Sequence, residues 1–359
     1  MSATRRPSPR PPHTVRSAWM DDVQAPPRTA LITGVSGQDG MYLARHLLAQ
    51  GWQVVGTVRP GISSLARMAP YLAGVEIVEH DLTDALGFGD LVSRHAPQAV
   101  YNLAAFSAVG RSWDQPELAA RTNHLAVVEM LQSLLRHRDK NAQDVRFFQA
   151  STAEVFGSEV EGPLDEESSH RPRTPYAIAK SAAHHLVISY RERYGLHASN
   201  GILFNHESPF RGQQFVAGKI ARVAASAACG RHTTVALGDL DVERDWGSAA
   251  DYVDAMARAV GHEVPDDYII GTGQTHTLRD MLTAAFAAVG RDDMEDHVEL
   301  MPHLWSATQA QALLADPAKA ARQLGWSAST SFDELVSGMV EVDVRRITTG
   351  VAESEAYLG

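Results

Sequence analysis

The stretch "TALITGVSGQDGMYLARHLLAQGWQVVGTVR", Thr29–Arg59, decides the fold. "ALIT" is a short apolar run, and glycines follow it at Gly34, Gly37 and Gly40. "MYLARHLLAQG" then carries apolar residues at helical spacing and stops at Gly51, and "QVVGTV" is a second apolar run rich in β-branched residues. Strand, glycine turn, helix and strand in that order make a β–α–β unit. The same alternation continues. "VEIVEHDL", "QAVYNLAA" and "VRFFQAS" read as further strands, with "LARMAPYL", "ALGFGDLVSRH" and "LAVVEMLQSLLRH" as helices between them. The class this predicts is α/β, a doubly wound parallel sheet. "PYAIAKSAAHHLVISYRERYG" reads as a long helix ending at Gly195, and "ASNGILFN" as a strand. Beyond them, "RDMLTAAFAAVG", "DPAKAARQLGW" and "SFDELVSGMVEVDVRR" read as helices of a smaller C-terminal α/β lobe.

Composition narrows the function. The chain has 359 residues, 44% of them hydrophobic and 21% charged, which is ordinary for a globular protein with a sizeable core. A formal net charge of −11 argues against nucleic acid as a partner. The single cysteine, Cys229, excludes an intramolecular disulfide and any cysteine-based zinc site, and no histidine pair has metal-ligand spacing beside carboxylates. No metal, no membrane span and a cytoplasmic location are the expectations. Residues 1–27 are rich in proline and arginine and lack an apolar run, so they are expected to be a disordered extension rather than an export signal.

The glycine turn predicts a dinucleotide site. Gly34, Gly37 and Gly40, with Gln38 and Asp39 between them, allow a tight turn and bring helix amides up to a pyrophosphate. The end of the second strand then chooses the nucleotide. An acidic residue there would accept from ribose hydroxyls, but Thr57-Val58-Arg59 offers a guanidinium, which suits a 2′-phosphate and favours NADP over NAD. The competing reading of Arg59 is a solvated surface charge. Asp81-Leu82 suits the adenine edge, or Asp81 is the N-cap of a helix starting near Thr83. Leu103-Ala104-Ala105, after the fourth strand, leaves room for the cofactor.

A catalytic set follows. Tyr176 and Lys180 stand four apart on one helix face, so the ammonium can favour the phenolate. Such a phenol can take a hydroxyl proton while hydride leaves the same carbon. Thr152, in "QASTAEVFG", supplies a hydroxyl at a strand end. On an extended segment Thr152 and Glu154 project to the same side. A simple dehydrogenase or a sugar epimerase needs no such glutamate, so Glu154 points to a second proton transfer, unless it caps the following turn or meets a lysine.

Together these residues resemble the extended short-chain dehydrogenase/reductases (the NAD-dependent epimerase/dehydratase family), and within them the GDP-mannose 4,6-dehydratases, from about Thr29 to Arg346. "LITGVSGQDGMYLARHLL", "QASTAEVFG", "PYAIAK", "NGILFNHESPFRG" and "LGDLDVERDWGSAADYV" carry the resemblance. It implies a Rossmann-type sheet domain at 28–205, also taking in 245–262. A substrate lobe would occupy 206–346, mainly 206–244 and 263–346, with a tail at 347–359. It implies a lyase that makes a 4-keto-6-deoxy sugar nucleotide by internal hydride transfer through NADP, in deoxysugar biosynthesis. Tyr176, Thr152 and Lys180 would serve the oxidation at carbon 4, and Glu154 would remove the proton at carbon 5. Ser107, Asn205, Lys219 and Arg244 match substrate-holding positions, and a homodimer or homotetramer is the usual assembly. The alternatives are an epimerase with the same Thr/Tyr/Lys set, or a dehydratase acting on another nucleotide. Four positions depart from the family pattern: Pro60, Ala153, Ser306 and Gln309.

Overall fold

The computed structural model describes residues 28–158, 162–301 and 312–358; the N-terminal extension and the departures at Ser306 and Gln309 lie outside these. Strands β1 (Thr29–Thr33), β2 (Gln53–Val58), β3 (Val75–Glu79), β4 (Ala99–Asn102), β5 (Arg146–Ala150) and β6 (Ala198–Leu203) fall where the apolar runs place them. Shorter strands follow: β7 (Asn205–Glu207), β8 (Val235–Leu237), β9 (Glu243–Arg244), β10 (Trp246–Ser248), β11 (Asp267–Ile270), β12 (His276–Thr277), β13 (Val298–Leu300) and β14 (Ala312–Leu313). The helices are α1 (Gln38–Ala49), α2 (Ser64–Met68), α3 (Ala85–His95), α4 (Pro116–Ala120), α5 (Ala126–Asn141) and α6 (Pro175–Tyr194). After them come α7 (Val216–Ala228), α8 (Ala249–Gly261), α9 (Leu278–Ala287), α10 (Ala318–Leu324) and α11 (Phe332–Thr349).

The main sheet has seven parallel strands in the order β11-β6-β5-β4-β1-β2-β3. Side chains alternate across it, and both faces are dry. Ala30, Ile32, Tyr101 and Phe148 pack with α1 and α8 on one face, while Leu31, Val100 and Phe147 pack with α3, α5 and α6 on the other. The strand order reverses between β1 and β4, so a crevice opens there at the carboxyl ends of the strands. A second core joins α7, α9 and α11 around Ile220, Phe286 and Met339.

Two expectations about this framework need correction. The sheet does not stop at residue 262: Asp267–Ile270 pairs with β6 as its seventh strand, in a segment assigned to the lobe. "DYII" is four fully buried residues, too short to show a period of its own. Nor does the β5 segment stay extended through Glu154. The strand ends at Ala150, and Ala153–Phe156 form a turn of 3₁₀ helix with Thr152 as its N-cap, the Thr152 hydroxyl accepting from the Glu154 amide at 3.3 Å. Among the described residues no helix is long and apolar enough to cross a membrane.

Candidate active site

The glycine turn is shaped by close approach. Gly34 has φ +73°, and a Cβ there would lie 2.9 Å from the Ala104 Cα. A Cβ on Gly40 would meet the Gly34 carbonyl oxygen at 2.4 Å. Opposite the turn, the Thr33 hydroxyl accepts from the Leu103 and Ala104 amides at 3.1 Å each and donates to Asn102 Oδ1 at 2.7 Å. Asn102 in turn donates to Gln149 Oε1 at 2.8 Å. This buried chain of side chains ties the ends of β1, β4 and β5 together. Helix α1 starts at Gly37 with no side-chain cap, so its first amides stay open to an anion. These features fit a dinucleotide pyrophosphate laid across the crevice.

Gln38 and Asp39 face His206 and Ser208, two residues to which the sequence reading gave no role. Gln38 donates to the His206 carbonyl at 3.1 Å and accepts from the Ser208 hydroxyl at 2.7 Å. Asp39 pairs with His206 at 3.0 Å. Burial alone would lower the His206 pKa, but the Asp39 charge and hydrogen bond hold it above its usual value. Burial likewise works to raise Asp39, and His206 more than offsets it, leaving the carboxyl below its usual range. The signal was present in "FNHESPFRG", where a histidine and an arginine flank the return to the crevice, but its partner is 167 positions away.

The residues expected to be catalytic are delivered by two elements. Thr174 caps α6, accepting from the Ala177 amide at 3.1 Å, and Pro175 occupies the first turn, which fixes where Tyr176 sits. The Tyr176 phenol faces the Thr152 side chain. Burial pushes its phenol up to about 12; Thr152 and Arg211 pull it down, while Glu154 and Asp39 push it further up. Lys180 is 3% exposed and donates to the Ala150 carbonyl at 2.9 Å, and burial brings its ammonium down to about 8 against the pull of Asp39. Burial also raises the Glu154 carboxyl, opposed by the nearby Arg244 charge. Arg244 itself is buried on β9 and donates to the Glu243 carbonyl at 2.7 Å.

The fold therefore gathers Asp39, Thr152, Glu154, Tyr176, Lys180, Arg211 and Arg244 into one electrostatic neighbourhood. Arg59 is exposed at the end of β2, close enough to Asp81 to help hold that carboxyl low, after the larger effect of Thr83. Asp81 closes its own turn, accepting from the Thr83 amide and hydroxyl at 2.8 and 2.7 Å, and Leu82 beside it is half-buried. The N-cap of α3 is Asp84, not Asp81, because the helix begins at Ala85. Ala105 is half-buried, whereas Ser107 on the same loop and Lys219 on α7 are exposed. Asn205 opens β7 and registers with Trp246 of β10. Ala153 faces away from all of this, buried with Val155, Phe156, Ile202 and Phe204, so the departure there is a core substitution. Among the described residues no group of three or more His, Cys, Asp or Glu is placed to hold a metal ion.

The family model for GDP-mannose 4,6 dehydratase matches residues 31–339. The chain belongs to the GDP-mannose 4,6-dehydratase family. Among similar members, GDP-mannose 4,6 dehydratase 1 of Arabidopsis thaliana is 37% identical over 332 residues, covering 90% of this chain and 91% of the relative. GDP-mannose 4,6 dehydratase of Homo sapiens is 35% identical, covering 94% and 96%. In fold, this member of the family is similar to a dTDP-glucose 4,6-dehydratase of Streptomyces venezuelae solved with NAD bound. The TM-score is 0.77 at 22% identity, over 92% of this chain and 99% of that one. RMD from Pseudomonas aeruginosa, complexed with NADPH, gives a TM-score of 0.73 at 22% identity, over 89% and 100%.

Proposed function

We propose that this chain is a nucleotide-sugar 4,6-dehydratase that acts on GDP-mannose and uses NADP. Family membership supports the dehydration. The observation that carries the mechanism is Glu154, a second proton acceptor with a raised carboxyl, placed one short turn after Thr152 and within the field of Tyr176. The nicotinamide dinucleotide would be held by the Gly34–Gly40 turn, by the Leu103–Ala105 backbone and by Lys180. Arg59 would meet the 2′-phosphate, which is the support for NADP. When bound, that cofactor supplies a reversible hydride store, loaded from carbon 4 and discharged at carbon 6.

The chain's own residues move the protons. Tyr176 takes the proton from the hydroxyl on carbon 4, with Thr152 fixing that oxygen. Its resting phenol is high because it is buried, so the positive charge of Arg211, and that of the cofactor when bound, are needed to bring it into range. The new ketone acidifies carbon 5. Glu154 takes the proton there and passes it to the hydroxyl leaving carbon 6 as water; its raised carboxyl makes it the stronger base. The proton gained by carbon 5 at the end matches the one lost from oxygen 4, so the sum is loss of one water. Arg244 would hold the diphosphate, because a guanidinium can engage two oxygens at once.

The test is incubation with a panel of nucleotide sugars, followed by mass spectrometry. Loss of one water from GDP-mannose is the expected result. Formation of an isomer without water loss would select the epimerase, and water loss only from another nucleotide sugar would move the substrate assignment. A homo-oligomer belongs to the same proposal. Trp113, Leu125 and Ile178 expose large apolar surface around α4 and α6, as an interface between copies would require.

A further inference from the structure

Helix α6 and the end of β5 meet at three successive points. The Tyr176 phenol faces the Thr152 side chain, and Lys180 donates to the Ala150 carbonyl at 2.9 Å. His184, one further turn along the same helix face, sits with Nδ1 3.2 Å from the Ser151 hydroxyl. The first two contacts belong to the catalytic set. The third belongs to nothing assigned so far, although His184 and Ser151 are only 3% and 4% exposed.

Its position gives the third contact leverage. Ser151 and Thr152 are the only two residues between β5 and the 3₁₀ turn that carries Glu154, so they act as the pivot of that turn. Ser151 is fixed at two points. Its amide donates to the Gly201 carbonyl at 2.8 Å, and its hydroxyl reaches His184. His184 is fixed as well. Its Nε2 lies 3.8 Å from Asp267 Oδ2, and Asp267 is gripped at both oxygens by Arg191 at 2.9 Å and by Asn200 at 2.8 Å. The carboxylate near Nε2 favours the tautomer that carries its proton there, and in that tautomer Nδ1 accepts from the Ser151 hydroxyl. Burial brings the imidazole down to about 4, with Asp267 opposing, so the ring is neutral and able to accept at neutral pH.

We propose that His184 is a positioning residue. Through Ser151 it fixes the pivot that aims Thr152 and Glu154 at the face presented by Tyr176 and Lys180. This rests on the dehydratase reading for its consequence in turnover, but not for its structural content.

The test compares His184→Leu, His184→Asn and Ser151→Ala with wild type. Leucine fills the space without a polar atom, asparagine returns one near Nδ1, and Ser151→Ala removes the partner with almost no change in volume. The first readout needs no substrate: the ¹³Cζ resonance of Tyr176 in protein labelled on tyrosine, assigned with Tyr176→Phe and calibrated by Thr152→Ala. His184→Leu and Ser151→Ala should move it in the direction of Thr152→Ala, and His184→Asn should leave it near wild type. The second readout is kinetic. A pivot displaced by a fraction of an ångström should lower kcat about tenfold, with KM and cofactor Kd held within about twofold, and His184→Asn should recover most of the loss. An unmoved resonance in Ser151→Ala, or equal loss in His184→Asn and His184→Leu, would overturn the proposal. If His184→Leu does not fold, Ser151→Ala decides. If wild type dehydrates no sugar, the functional reading fails and the resonance still judges His184.

Discussion

The two sides of the crevice are made of different material. The side proposed for the cofactor is backbone: Gly34 against Ala104, open helix amides above Gly37, and a loop held by Thr33 and Asn102. The side proposed for the sugar is charged side chains on slight elements: Glu154 on a single 3₁₀ turn and Arg244 on a strand of two residues. A site made of backbone tolerates few residue types and writes itself into the sequence as glycines. A site made of side chains depends on groups that many positions could carry, so it is recognised only through its chemistry.

The sharpest way to break this comparison is Glu154→Gln. Dehydration should fall about a thousandfold while exchange of hydrogen at carbon 4 continues, measured with a sugar deuterated there. If Glu154→Gln dehydrates like wild type, the sugar side has been misassigned. Next comes Arg59→Ala, which should reduce the preference for NADP over NAD about tenfold, read from the two dissociation constants. An unchanged ratio would place the choice of nucleotide elsewhere on the cofactor side.

Asp39→Asn probes the link between the two sides. It removes one partner of a largely buried ion pair, so stability should fall by about 1–3 kcal/mol in denaturant, with weaker cofactor binding. Wild-type stability with weakened binding would show that the pair serves the ligand alone.

The smallest effect is one of pH, and its sign differs between regions. His170 and His184 are each lowered from 6.5 to about 4, chiefly by burial. Between those values the unfolded chain binds more protons, so stability should fall as pH drops from 6.5 towards 4. His206 is raised above 6.5, so its contribution is full below 6.5 and is lost as pH rises through its folded pKa. Denaturation midpoints measured from pH 5 to 8 should show both limbs, and His170→Gln should flatten only the acid one.

Legibility in the sequence follows the same division. The first six strands and the long helix could be read because apolar runs, Thr174-Pro175 and Gly195 mark their ends. β11 could not, because a four-residue strand buried on both faces carries no alternation. The turn after β5 could not either, since "STAEVF" fits an extended segment equally well until Thr152 is seen capping it. Tyr176, Lys180 and Thr152 were legible as candidates, because their residue types and spacing suit a proton transfer. His206 and Arg211 were not, because their meaning lies in Asp39 and Tyr176, on distant parts of the chain.

The seventh strand has a practical consequence. The chain leaves the main sheet after β6, builds part of the lobe, returns as α8 against the sheet and as β11 within it, and leaves again for α9 and α11. The lobe is thus woven from separate lengths of chain, with no single pair of cut points. Anyone wishing to graft another sugar preference onto this scaffold would have to transplant two discontinuous pieces and preserve β11 between them, or else rewrite individual side chains in place.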